Sequence, residues 1–487
     1  MHPARRALHR RFAVHDDRVA PPPHDDVYAR SAFFRCLALA AALLAWTFDG
    51  VEQGIYTIMT RDALKDLIPA IGAEARDLRE IHATIDAKTA ANEPTGEEER
   101  RSKALAKRID AEIASYISLA IAMWLWGAAA GGVLFGRLGD RFGRVKPLMS
   151  AVVTYSVFTG LSALSTHWTH LVACRFLGAL GLGGAWPLSI ALMVETWPDR
   201  YRGVLAGLMG AGANVGFLIA ATYARAMGAR GYDWRWIIGM GFFIGMSSLL
   251  VIAFVPETTK YRLAREKARR TRLRDLFGPR HRRATITGSL LSTVALLGTW
   301  GSFLWLATYV DQIAEGTEFA KTARSAISQW QSYGQVIGGF LGGLLAGWIG
   351  TRRSWCFLCA TAWASVVALF WLNTTFSDRM VVMGFTAGVI VAAFFGWLPK
   401  FLPELYPTHI RASGQGFSFN IGRVLAGFGV LGTGTLVGAF GGNYQKGVMV
   451  MASIYLVGLA VIWFAPDTGG KMRSDDDEPQ EAGAGSP

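Results

Sequence analysis

Twelve stretches of roughly 20 residues are apolar on every face of a helical wheel rather than along one stripe. They lie near 33–59, 112–136, 147–165, 169–194, 203–227, 234–255, 284–310, 325–349, 354–373, 379–399, 412–440 and 445–465. At 1.5 Å per residue each can cross about 30 Å of hydrocarbon, so the pattern predicts an all-α protein with twelve transmembrane helices. Between runs 1 and 2 the pattern changes. Leu78, Ile81 and Ile85 form one helical stripe and Leu105, Ile109 and Ile113 another, separated by Asn92-Glu-Pro94-Thr95-Gly96. A charged helical hairpin outside the membrane is predicted there, with Thr95 and Glu98 at capping-box spacing.

Composition agrees with the pattern. Hydrophobic residues make up 52% of the 487 and charged ones 17%, against about 25% charged in soluble domains. Disordered, collagenous and disulfide-rich classes are excluded. Cys356-Phe-Leu-Cys359 has redox or zinc spacing but sits in an apolar run with no His or further Cys beside it, so no metal site is expected. No nucleotide or catalytic motif is present, which argues against an enzyme or a cofactor. The net charge of +13 would suit nucleic acid, but its placement indicates topology instead. With the N-terminus in the cytoplasm, 29 of the 49 Lys and Arg fall in cytoplasmic segments and 7 in short external loops. Both termini are therefore expected inside, and 61–111 outside. No cleavable signal peptide is visible; 1–30 and 467–487 read as disordered arms, and the basic linker 257–283 can touch anionic headgroups.

The chain repeats itself. Gly136-Arg-Leu-Gly-Asp140-Arg141-Phe-Gly143-Arg144 follows run 2, and a degraded copy, Gly343-Leu-Leu-Ala-Gly-Trp-Ile-Gly350-Thr-Arg352-Arg353, follows run 8 at an offset of 207. Glu195-Thr-Trp-Pro198-Asp-Arg-Tyr-Arg202 follows run 4, and Glu404-Leu-Tyr-Pro407-Thr-His-Ile-Arg411 follows run 10 at an offset of 209. This is a six-plus-six duplication, with bundles at 31–256 and 284–466. Runs 1 and 7 start about 251 residues apart, so the excess of about 44 marks 61–111 as an insertion.

The first of these motifs, with its tandem copy, resembles the loop 2–3 signature of the major facilitator superfamily. Arg175-Phe-Leu-Gly178-Ala-Leu-Gly181 and Pro403-Glu404-Leu405-Tyr406-Pro407 through Asn420-Ile-Gly422-Arg423 resemble its sialate/monocarboxylate proton symporters and sugar-porter-like branches. Run 5 reads Gly210-Ala-Gly212-Ala-Asn214-Val-Gly216 and lacks the proline usual in the superfamily's antiporters. The resemblance implies alternating access by two bundles in a bacterial inner membrane. Its function would be proton-coupled symport of a small organic anion, a monocarboxylate or an acidic sugar. A neutral sugar or polyol carrier and a non-transporting metabolite sensor stay open as alternatives. The expected partners are substrate, proton and bilayer, with an external partner for 61–111 as a further option.

Small residues at four-residue spacing in runs 2 (Gly127/Gly131, Gly132/Gly136) and 8 (Gly334/Gly338/Gly342, Gly339/Gly343/Gly347) allow close helix approach, as sliding surfaces or as static packing. At the loop ends, Asp140, Arg141 and Arg144 can pair with Glu195, and Arg352 or Arg353 with Glu404. With Gly136, Gly143, Arg202 and Arg411 they make the expected cytoplasmic gate. As solvent-edge charges, each pair would contribute about 1 kcal/mol or less. Charges in mid-run cost at least about 2.5–3.5 kcal/mol and need a partner or a cavity. Asp49 and Glu52 lie three apart on run 1, Arg175 is in run 4 and Arg423 in run 11. The resemblance implies that Asp49 and Arg175 form a proton-coupling pair; a permanent salt bridge is the alternative, with Glu52 a helper or a mouth residue. Arg423 is the candidate for the substrate's carboxylate, with Asn420 on the same face, unless it pairs structurally. Gln331, Gln335, Trp305 and Tyr309 are expected to complete the cavity.

Overall fold

The structure is a computed structural model that describes Tyr28 and residues 31–91, 94–228, 230–267, 273–314, 317, 319, 323–440 and 443–473. Most of the expected arm at 1–30, the middle of the linker and the tail beyond 473 lie outside these.

All twelve runs are helical. In the N-terminal half they are α1 (Ala32–Leu67), α3 (Gly96–Phe142), α4 (Val145–Ser162), α5 (Trp168–Thr196), α6 (Arg202–Gly228) and the pair α7 (Trp234–Ser247) and α8 (Leu249–Ile252). Helix α2 (Pro69–Ala90) precedes α3, and α9 (Thr259–Lys267) opens the linker. The C-terminal half contains α10 (Arg282–Gly301) with α11 (Leu306–Ala314), α12 (Ala323–Trp348), α13 (Thr351–Leu372) and α14 (Asp378–Phe401). It ends with α15 (Arg411–Ala439) and the pair α16 (Tyr444–Ala452) and α17 (Ile454–Val461). Ten described spans are long and apolar enough alone to cross a membrane; α4 and α12, richer in Ser, Thr, Gln and Gly, fall below that level.

Runs 6, 7 and 12 are each broken near a serine. Ser248 Oγ donates to Gly245 O at 2.8 Å, Ser453 Oγ to Met449 O at 3.3 Å, and Ser302 Oγ to Gly298 O. A hydroxyl that bonds the carbonyl one turn back competes with the helical ladder and bends it.

The duplication is visible in the packing. Helix α3 lies on α5 of its own half and on α15 of the other; its counterpart α12 lies on α14 and, across the halves, on α6. The two glycine stripes divide this work. A methyl group at Gly131 would sit 1.8 Å from Leu180 O and one at Gly338 1.9 Å from Val389 O, both within a half. At Gly132 it would meet Asn420 Nδ2 at 1.7 Å, and at Gly339 Gly210 O at 2.3 Å, both between halves. One stripe in each half is thus internal packing, and the other is the seam along which the halves meet.

Helix α3 runs 47 residues, about 70 Å, so its first part projects well beyond a bilayer core. That part and α2 form the expected hairpin, at the end of the bundle opposite Gly143. Ile71, Ile109 and Ile113 bury themselves with Leu64 and Ile68 at its base. Lys88 pairs with Glu98 and Arg108 with Glu74 along its length. The expected capping box does not form. Thr95 Oγ1 donates to Glu99 Oε1 at 2.7 Å, because Glu98 is taken by Lys88, whose hydrogen bond holds that carboxyl below its ordinary range.

Candidate functional site

A cavity of about 210 Å³ lies between the halves, lined from α1, α3, α6, α10, α12, α14 and α15. Its walls are largely aromatic: Trp46, Trp124, Phe217, Trp300, Phe395 and Phe419 all contribute. Polar groups come from Gln53, Asn214, Thr299, Gln331, Ser332 and Gln335, and Arg423 is the only charged residue among those lining it. Trp186 of α5 stacks on the cavity-lining Phe419 of α15, ring centroids 3.8 Å apart.

Arg423 is buried, and its Nη1 donates to Asn420 Oδ1 at 3.1 Å. Asn420 is itself anchored through Nδ2 to Gly416 O at 2.8 Å, so it holds the guanidinium rather than lining the cavity. The guanidinium lies 5.0 Å from the Phe419 ring centre and 5.7 Å from Trp124. Among the described residues no carboxylate stands within 4 Å of it. Asp49 is the carboxylate whose charge acts on it.

Asp49 is fully buried behind the cavity wall. Gln53, one turn along α1, donates Nε2 to Asp49 Oδ1 at 3.0 Å, and Asp49 Oδ2 has no hydrogen-bond partner. The expected contact between Asp49 and Arg175 is not the one formed. Arg175 Nη1 donates to Glu52 Oε1 at 2.9 Å, Thr159 Oγ1 supports the same oxygen at 3.3 Å, and the guanidinium lies 3.9 Å over Tyr56. Glu52 is thus a buried partner and not a mouth residue. Of the other expected cavity residues, Gln331 and Gln335 line it; Trp305 and Tyr309 do not. Tyr309 donates to Asn373 O at 2.7 Å and packs on Phe370, and Trp305 packs on Tyr444. Trp46, Gln53, Trp124, Asn214 and Phe419 were not singled out in the sequence, because nothing local distinguishes them from packing residues.

The charges of the two duplicated motifs meet at one end of the bundle. Arg144 is completely buried and donates to Glu195 Oε1 at 2.8 Å, to Asp140 Oδ1 at 3.0 Å and to Thr408 O at 2.7 Å. Burial opposes its charge, but the carboxylates of Glu195, Asp140 and Glu257 more than offset this and hold its proton above the ordinary arginine range. Asp140 accepts from the first-turn N–H groups of α15, Ala412 at 3.1 Å and Ser413 at 2.7 Å, across the seam. A carboxylate there also meets the positive end of the helix dipole. Arg411 of one half reaches Glu195 of the other at 3.3 Å, and Arg202 reaches Glu404 at 3.9 Å in the reciprocal sense.

Three expectations for this end are corrected. The pairs are buried, not solvent-edge. Arg141 faces out, over Phe142, and takes no part. Arg352 bonds Ala465 O and pairs with Asp467, leaving Glu404 to Lys400, Arg202 and Thr468; no described contact joins Arg353 to it. A third repeated element also emerges. Thr258 Oγ1 donates to Glu195 Oε2 at 2.7 Å and Thr468 Oγ1 to Glu404 Oε2 at 2.6 Å. Pro256-Glu257-Thr258 and Pro466-Asp467-Thr468 recur at an offset of 210, a signal legible in the sequence.

The Major Facilitator Superfamily model matches residues 111–430. A Haemophilus influenzae protein named for metabolite transport is 30% identical over 357 residues, 71% of this chain and 86% of that one. The cis,cis-muconate transport protein of Acinetobacter baylyi is 26% identical, covering 68% of this chain and 81% of its own. The sialic acid transporter of Escherichia coli is 25% identical, covering 70% and 82%. Among solved structures, the proton:xylose symporter XylE aligns over 90% of this chain and 98% of its own, with a TM-score of 0.67 at 16% identity, a likeness of fold. On the family match, the repeated motifs and the twelve-helix architecture, the chain belongs to the Major Facilitator Superfamily and is a membrane transporter.

Proposed function

We propose that the protein is a proton-coupled symporter of a small organic anion, with a planar or unsaturated monocarboxylate as the best fit. The observation that carries this reading is Arg423, the one charged group among the described residues on the wall of an aromatic cavity, held in place by Asn420 and with no described carboxylate in contact. A guanidinium presents a planar fork matched to a carboxylate, and the flanking rings suit a flat apolar body. Asp49, buried nearby with one oxygen unpartnered, supplies a group that can take a proton. Relatives are named for the transport of two organic acids, muconate and sialic acid. The charged end is the cytoplasmic gate, held by the pairs that Glu195 makes with Arg144 and Arg411. Both termini are cytoplasmic, in a bacterial inner membrane, and the α2–α3 hairpin is external.

The amides Asn214, Gln331 and Gln335 on the cavity wall favour a second reading, a neutral sugar carrier, since such groups bond hydroxyls. Counterflow and pH-driven uptake in proteoliposomes separate the two. An imposed inward proton gradient should concentrate a labelled carboxylate; concentration of sugars alone, with no response to carboxylates, would transfer the case to the sugar reading.

A further inference from the structure

Gln53 stands between the buried Asp49 and the cavity: it lines the cavity, whereas Asp49 does not. Its Nε2 donates to Asp49 Oδ1 at 3.0 Å, and its carbonyl oxygen has no hydrogen-bond partner among the described residues. An ionised carboxylate only accepts, so it holds the amide with nitrogen toward Asp49 and leaves the carbonyl oxygen for the cavity. A protonated Asp49 reverses the demand, because its O–H must donate and Oδ2 has no described partner but the amide within reach of the same carboxyl. The amide then turns over, its oxygen accepts from Asp49, and its NH₂ group points into the cavity.

We propose that Gln53 is a positioning residue that converts the protonation state of Asp49 into the cavity's affinity for an anion. The proposal rests on the proton-coupled anion reading above and adds the element that links the two ligands. With Asp49 ionised, an entering carboxylate meets the negative end of the Gln53 dipole; with Asp49 protonated, it meets N–H donors. Arg423 of α15 acts in the same direction, since protonation of Asp49 removes the charge that opposes its own. The other groups facing Asp49 do not reverse this. Glu52 on its own helix is tied to Arg175 of α5, and Tyr155 of α4 is a phenol, uncharged below about pH 10. By linkage, the anion must raise the proton affinity of Asp49 by the same factor that the proton raises anion affinity.

The test measures binding to purified wild type, Asp49→Asn and Gln53→Met between roughly pH 5 and pH 9. The probe is the tightest binder among benzoate, cis,cis-muconate and N-acetylneuraminate, with its neutral amide as control. Wild-type affinity should fall by at least about tenfold as the pH rises, the scale of a hydrogen bond to a charged group. Asp49→Asn should be flat. Gln53→Met should still bind but lose at least half of the pH response on a logarithmic scale, with the neutral control unchanged. A full wild-type response in Gln53→Met, beside a flat Asp49→Asn, overturns the role of Gln53 and leaves the proton reading intact. An equal response in wild type and Asp49→Asn, or no binding of any anion, overturns the proton-coupled anion reading instead. If Gln53→Met fails to fold, Gln53→Asn, one methylene too short to span Asp49 and the cavity, carries the same expectation.

Discussion

Arg175 Nη1 stands 2.9 Å from Glu52 Oε1, and this pair, not Asp49 with Arg175, is the ion pair that joins α1 to α5. Asp49 and Glu52 are three residues apart, which places them about 60° apart around the helix. That angle is enough to turn Glu52 toward α5 and Asp49 toward Gln53 and the seam. The two carboxylates therefore have separate duties.

Their stabilities should differ accordingly. Glu52→Gln strands a buried guanidinium and should cost about 3–5 kcal/mol, the scale for breaking a buried pair. Asp49→Asn keeps the volume and can still bond Gln53, so its melting temperature should stay near wild type. Thermal unfolding in detergent checks both; equal losses would contradict the division of roles.

Coupling should follow Asp49. Asparagine imitates the protonated acid, so Asp49→Asn should exchange substrate across the membrane but no longer concentrate it when a proton gradient is imposed. A membrane potential contributes about 2.3 kcal/mol per charge per 100 mV, which the variant cannot harness at this residue. Uphill accumulation equal to wild type would place the proton elsewhere.

Charge recognition should follow Arg423. Arg423→Lys keeps the charge without the fork and should weaken carboxylate binding moderately. Arg423→Gln should cost roughly 1.5–3 kcal/mol, a 10- to 150-fold loss of affinity. Titrations with matched carboxylates and amides decide the matter, because equal losses for both would make Arg423 structural.

At the proposed gate, Thr258→Val and Thr468→Val each remove one hydrogen bond to a buried glutamate, Glu195 or Glu404. Each should shift the equilibrium toward the state open at that end by about 1 kcal/mol, roughly fivefold. The readout is labelling of a single cysteine placed on the cavity wall, approached from the cytoplasmic side. No change in either variant would show that the threonines do not help close the gate.

Topology has a direct check. Single cysteines at Ala83 in the hairpin and at Lys260 in the linker, in a background free of the native four, should label from opposite sides of the membrane. Labelling from the same side would sink the proposed orientation.

Much of this molecule was legible in the chain because lipid makes secondary structure a local matter. Each span must satisfy its own backbone hydrogen bonds and show apolar faces all round, so twelve helices can be read from runs of residues. The duplication is likewise a property of the string: the segment from Gly136 through Arg144 has a degraded copy 207 residues on, and Glu195 through Arg202 has one 209 residues on. Partner choice is a different kind of quantity. Whether Arg175 meets Glu52 or Asp49 depends on a rotation of α1 against α5, and whether Arg352 reaches Glu404 or Asp467 depends on where the chain after α17 comes to rest. Gln53, Trp46 and Phe419 look like ordinary helix residues until the seam between two halves leaves a gap beside them. The sequence by itself determined the helices, their repeat and the few charges that must find company within the membrane. Only the tertiary structure decided which company each one keeps, because that choice is made by distances of a few ångströms between helices far apart in the chain.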